Sequence, residues 1–254
     1  MTIDQKIAKK LCEWEDNNIE NGKYIGNPLT LSWRHSFIPS EIYYKSDEDG
    51  LGVYDWFDAQ LSYEDISIED EVYDDIWEGL EKQFIHFGYT GEGGNYFLWD
   101  YEGRDNNDMP VVFLGGDGEY DMLASSLNDF VCLIASGKVY SSDDKFSLKE
   151  LGIRSWEDMS QYRLDDFTQE EYAEDCKKFM DFLKEDLECK SYEEVVKNVK
   201  QQKNFKNFIN KWLAEIAIEF STISDFRELK DIIYRKVSIE LIDEKYIKIL
   251  ESRK

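Results

Sequence analysis

Phe84-Ile85-His86-Phe87-Gly88-Tyr89-Thr90-Gly91-Glu92-Gly93-Gly94-Asn95-Tyr96-Phe97-Leu98-Trp99-Asp100-Tyr101 is the stretch that decides the fold. Two short aromatic runs flank a glycine-rich centre, and each is too brief for a stable helix and rich in residues that suit a pleated surface. The reading is a strand at Phe84–Tyr89, a turn at Thr90–Gly94 and a second strand at Asn95–Tyr101. Alternation puts Tyr96, Leu98 and Asp100 on one face and Phe97, Trp99 and Tyr101 on the other. The glycines supply the positive φ that a hairpin turn requires. A phosphate-cradling dinucleotide loop is the competing reading. That loop must open a helix, whose N-terminus meets the pyrophosphate, whereas this one opens Tyr96-Phe97-Leu98-Trp99.

Working downstream, a polar loop over Glu102–Asp108 leads to a third strand, Met109–Leu114. Gly115-Gly116-Asp117-Gly118 turns the chain into a fourth, Tyr120–Ala124. Ser126-Leu127-Asn128-Asp129 then matches a capping box, which opens a helix ending near Ala135-Ser136 with Gly137 as its stop. Strands joined by short turns make an antiparallel meander, and the helix that follows can cover one face. The fold class is therefore α+β.

Upstream, Ile7, Leu11 and Trp14 recur at helical spacing within residues 3–18. Pro28–Trp33 and Val53–Phe57 read as strands, and residues 65–81 as a loop entering a short helix. From about residue 156 the periodicity is helical. One stripe is Tyr172, Cys176, Phe179, Met180, Leu183 and Leu187; a second runs from Phe205 through Ile209, Trp212, Leu213 and Ile216 to Phe220. Phe226, Leu229, Ile232 and Ile233 predict a third helix and Leu241–Leu250 a fourth. This gives a domain over 1–155 and an all-helical extension over 156–254, either packed on the first domain or separate from it.

Charge narrows the function. The 254 residues carry 30 basic and 55 acidic side chains, a net of −25. Residues 1–150 hold 11 basic and 32 acidic residues, a net of −21, and the remainder 19 and 23, a net of −4. Between Asp47 and Glu81 stand 14 carboxylates without one Lys or Arg. Such a surface repels nucleic-acid phosphates and anionic lipid and attracts basic proteins. Direct nucleic-acid or membrane binding is disfavoured on that ground. Tyr54, Trp56 and Phe57 lie among Asp55 and Asp58, and aromatics ringed by acids suit an interface that receives Arg or Lys. The residues assigned to a partner surface are Asp47, Glu48, Asp49, Asp55, Trp56, Asp58, Glu64, Asp65, Glu69, Asp70, Asp74 and Asp75. The alternative for the acids is a solvated face that maintains solubility, and for the aromatics a half-buried strand with Tyr54 and Trp56 inward.

No catalytic, cofactor or metal residues are assigned. Asp117, Glu119 and Asp121 alternate, but a calcium loop counted from Asp117 would need glycine and glutamate where Met122 and Asn128 stand. Only His35 and His86 could serve as imidazole bases, and neither has a nucleophile motif beside it. His86, between apolar neighbours in a strand, reads as structural. A two-carboxylate hydrolase is the enzyme reading that survives, since so many acids guarantee accidental pairs. Cys12, Cys132, Cys176 and Cys189 have no zinc or redox-pair spacing. With no secretory h-region at the N-terminus and no apolar run long enough for a membrane span, the expectation is a cytoplasmic protein with reduced, mostly buried thiols.

The segment Phe84–Gly137 resembles the core of the SUKH superfamily, which includes the yeast cell-wall-synthesis regulator family and many bacterial immunity proteins. FIHFGYTGEGGNYFLWD carries the strand, the turn Gly91-x-Gly93-Gly94 and the second strand; MPVVFLGGDGE carries the Pro110-Val111 strand; ASSLNDFVCLIASG carries the helix with Ser126, Leu127 and Phe130. The resemblance covers about a fifth of the chain, or three fifths if residues 1–150 form the whole domain, and the helices beyond about residue 156 lie outside it. It implies a binding domain without catalytic residues, in bacteria most often one that neutralises a cognate toxin, frequently a nuclease. Resemblance and charge together predict an acidic immunity-type protein that occludes a basic toxin domain. The alternative is a regulatory adaptor that docks a signalling partner through its C-terminal helical stripe.

Overall fold

A computed structural model describes residues 4, 6–7, 9–10, 13, 56–57, 59–61, 66, 80, 83–89, 94–101, 109–135, 140, 181–182, 184–223, 225–236 and 239–253. Four strands form one sheet in the order β1-β2-β3-β4: β1 Phe84–Tyr89, β2 Asn95–Trp99, β3 Val111–Leu114 and β4 Tyr120–Ala124. Every neighbouring pair is antiparallel, so the chain is a meander, and the α+β class is as the sequence predicts. β1 and β2 pair antiparallel with Tyr89 opposite Asn95, as the hairpin reading of the flanking runs predicts. The third strand begins after Pro110, which has no N–H to give the ladder. Its carbonyl still accepts from the Trp99 amide at 2.9 Å. Gly118 takes φ 87° in the β3–β4 turn, where a β-carbon would be strained.

The strands are more deeply covered than one helix on one face would make them. Tyr96, Phe97, Leu98 and Trp99 are all buried, as is every residue of β3. On one face the Tyr96 ring meets Phe113 at 5.1 Å and Phe130 at 5.6 Å, and Phe87 stands 6.1 Å from both Tyr96 and Phe130. Phe130 comes from helix α1, Leu127–Ala135, which packs on β4. On the other face Phe97 meets Phe84 at 5.7 Å and His86 at 5.1 Å. Each fully buried ring of this kind contributes on the order of 2–3 kcal/mol by removal from water.

A second helix on β4, α2 at Tyr192–Gln201, is absent from the sequence reading. Its signal was present: Ser191 and Glu194 form a full capping box, and Val195 and Val199 are its buried pair one turn apart. The predicted stripe through Met180 lies outside the described residues, and its last member, Leu187, is in irregular chain rather than helix.

Three further helices follow: α3 Phe205–Phe220, α4 Phe226–Lys236 and, after a 3-10 turn at Ile239–Leu241, α5 Glu244–Ser252. α3 packs on α4 and α5. Of the stripe proposed as a docking groove, Phe205, Ile209, Leu213 and Ile216 are buried, while Trp212 and Phe220 are half-buried. Trp56, Phe57, Ala59, Gln60 and Leu61 are helical where a strand through Phe57 was expected. Trp56 and Phe57 are buried at successive positions, which strand alternation onto one covered face would not allow. The Phe57 ring stands edge-on to Trp212 at 4.5 Å.

The chain divides into two compact units that interleave along the sequence. One is Met1–Asp47 with Phe84–Gln202; the other is Glu48–Gln83 with Lys203–Lys254. The sequence reading placed its single boundary at 155/156. Chain on the far side of that point belongs with the sheet, because Glu188, Cys189 and Lys190 are bonded to α1 and α2 packs on β4. The acid-rich stretch, by contrast, groups with the C-terminal helices.

Candidate functional site

Of the twelve residues assigned to a partner surface, Trp56 alone lies among the described residues. The eleven carboxylates, Asp47, Glu48, Asp49, Asp55, Asp58, Glu64, Asp65, Glu69, Asp70, Asp74 and Asp75, lie outside them, as do Tyr54 and His35. Trp56 is 6% exposed and packs edge-on to Phe57 at 5.1 Å, which leaves little of the ring to meet a partner.

Among the described residues of the sheet unit, charged and polar groups converge around the N-terminus of α1. Ser126 caps the helix, its hydroxyl accepting from the Asp129 amide at 3.1 Å. Two further amides of the first turn, Leu127 and Asn128, donate to the carboxylate of Asp4 at 3.2 and 2.8 Å. Asp4 is itself 7% exposed and comes from the helical N-terminal segment, so a carboxylate from elsewhere in the chain completes the cap. Asp129 is fully buried and accepts from the Ser125 hydroxyl at 2.7 Å and from Lys190 Nζ at 2.9 and 3.1 Å.

The chain before α2 is laid along this helix by several fasteners. The Asn128 side chain bonds both the amide and the carbonyl of Glu188, each at 2.9 Å, as a strand neighbour would. Lys10 donates to the Phe182 carbonyl at 2.7 Å and pairs with Asp186 at 2.5 Å. Cys132 and Cys189 form a disulfide with their α-carbons 5.4 Å apart, which corrects the expectation of reduced thiols for that pair. The two cysteines are 57 residues apart, and no local spacing pattern in the sequence pairs them. Cys12 and Cys176 lie outside the described residues.

Chemically this arrangement is an anchor. A buried carboxylate already engaged by an ammonium, a hydroxyl and its own helix is held as an acceptor, with no oxygen presented to a substrate. Asp121 is likewise 3% exposed and bonds its neighbour's amide at 2.8 Å, while Asp117 and Glu119 are exposed on the turn. Among the described residues no group of three or more His, Cys, Asp or Glu could hold a metal ion. His86 lies against Phe97 within the sheet. The Tyr96 hydroxyl is pushed well above its ordinary range by burial.

The helical unit has its own ionic cluster. Lys211 contacts Asp243 at 2.9 Å and Glu215 at 3.6 Å, and the Asp243 amide donates to Glu215 at 3.2 Å. Burial raises the Glu215 carboxyl more than the Asp243 amide and the Lys211 ammonium lower it. For Lys211, burial pulls downward, but its bond to Asp243 and the charges of Glu215 and Asp243 outweigh that and leave it raised. The cluster staples α3 to the start of α5. Among the described residues no helix is long and apolar enough to cross a membrane.

In comparisons with protein-family models, curated proteins and solved structures, nothing matches this chain.

Proposed function

We propose that this protein is an acidic, immunity-type binding protein that neutralises a basic toxin domain by occluding the toxin's cationic surface. One observation carries the reading: 14 carboxylates and no basic residue between Asp47 and Glu81 in a chain of net charge −25. A toxin that acts on nucleic acid needs a cationic face, and an acidic protein competes for that face. The four-stranded meander followed by a capped helix is in keeping with the SUKH-like order of elements. The acid-rich stretch from Glu48 to Glu81 groups with the C-terminal helices, which supports reading that unit as the toxin-facing one. The reading puts the protein in the cytoplasm, where such a toxin would act.

The test is co-expression with a candidate basic toxin domain from a neighbouring reading frame, together with association kinetics. Growth should be restored. Steering should make association fall at least tenfold between low and high salt, and fall similarly when Asp65, Glu69, Asp70, Asp74 and Asp75 are changed to their amides. Association indifferent to both salt and these substitutions would sink the electrostatic mechanism.

A further inference from the structure

We propose that Cys132 and Cys189 are a reversible thiol–disulfide pair, and that Cys189 is the sulfur at which small thiols open it. The two halves of the bond differ in access. Cys132 is 5% exposed on α1, whereas Cys189 stands on exposed chain before α2. Thiolate attack requires in-line approach to one sulfur, so the accessible member takes the nucleophile and the buried one leaves.

The noncovalent fasteners decide what opening does. Asn128 holds Glu188, and Asp129 holds Lys190, on either side of Cys189 in the sequence. With those contacts intact, the Cys189 thiol stays over Cys132 after reduction. Reclosure then needs no search by the intervening chain, which favours a pair that cycles over one that opens once. The bond spans 57 residues, and a loop of that length restrains the unfolded chain strongly. The redox state therefore sets the stability of the sheet unit without redirecting its chain.

The chemistry balances with a thiol reductant such as glutathione. Its thiolate attacks Cys189 Sγ, the bond to Cys132 breaks, and the Cys132 thiolate takes up a proton, leaving a mixed disulfide on Cys189. A second glutathione thiolate resolves that adduct, releasing the Cys189 thiol and oxidised glutathione. Two electrons pass to the protein and two protons are taken up.

The full chain, oxidised with oxidised glutathione and then titrated with reduced glutathione, tests this by alkylation, non-reducing digestion and mass spectrometry. The oxidised protein should yield a cross-linked Cys132–Cys189 peptide, and the intermediate an adduct on the Cys189 peptide. Full reduction should lower the thermal midpoint by roughly 10 °C. C189S should match reduced wild type and ignore reductant. C132S keeps the exposed thiol and should form the adduct at Cys189 even if C189S fails to fold. An adduct found chiefly on Cys132, or oxidised protein without the cross-linked peptide, would overturn the proposal.

Discussion

Asp129 and Lys190 illustrate how one buried charge constrains its neighbours. The carboxylate is fully buried and the lysine side chain is 44% exposed, so the pair spans the boundary between core and water. Breaking such a pair costs through the charge left behind more than through the attraction lost. Solvent at the ammonium moderates that cost, which gives about 1–2 kcal/mol for Lys190→Met. Asp129→Asn in the same chain removes the stranded charge, so the double variant should recover part of the loss. Urea unfolding of the reduced proteins checks this, because reduction separates the ion pair from the disulfide that adjoins it. Additive losses in the two single variants would mean that the two groups do not interact energetically.

Helix ends carry the next set of consequences. Glu194 accepts from the Ser191 amide at 3.0 Å, and that bond holds its carboxyl below the ordinary glutamate range. A carboxyl lowered on folding contributes stability above its unfolded value and loses it as the pH falls through the lowered one. The Ser191 amide resonance should therefore titrate below the usual glutamate range, and Glu194→Gln should abolish that step. Titration at the ordinary value would mean the box is not formed in solution. At the far end of α3, Arg253 donates to the carbonyls of Ser221, Ile223 and Glu219 at 3.2–3.4 Å. Glu219 is in the last turn of α3, whose carbonyls helix termination leaves without partners, Ser221 is its C-cap, and Ile223 lies just beyond. Arg253→Ala should lower stability by about 1–2 kcal/mol, with faster amide exchange confined to α3 and α5. Arg253→Lys should recover only part, since an ammonium cannot fork to three oxygens in the same way.

The elements themselves were legible where local chemistry dictates them. Tyr120–Ala124 and the start of α1 at Leu127 follow from turn glycines and the Ser126 cap, and α3 from an apolar stripe of full helical period. Strand alternation misread Trp56 and Phe57, because a helix in a covered setting can bury consecutive aromatics and hide its period. What could not be read is what only the folded chain brings together. Asp4 reaches α1 across more than a hundred residues, and Cys189 reaches Cys132 across 57. No periodicity records such pairings.

At the scale of the molecule the interleaving matters most. A resemblance carried by Phe84–Gly137 invites a boundary near residue 155, and a chain of 1–155 would then be self-sufficient. The structure withholds from that chain Lys190, Cys189, Glu188 and all of α2, the helix that packs on β4. Asp129 would be left buried without its ammonium, and Asn128 without its backbone partner, a combined loss of several kcal/mol against a typical total of about 5–15 kcal/mol. It would also keep Phe57 while losing Trp212, the ring at 4.5 Å. The 1–155 chain should therefore show no cooperative urea transition by near-ultraviolet circular dichroism, whereas the full chain should. A shorter chain ending at residue 202 retains every contact named for the sheet unit and should keep that unit's transition while losing the contribution of α3–α5. A cooperative transition in 1–155 comparable to that of the full chain would mean that the sheet stands without residues 182–202, and the interleaved division would fall with it.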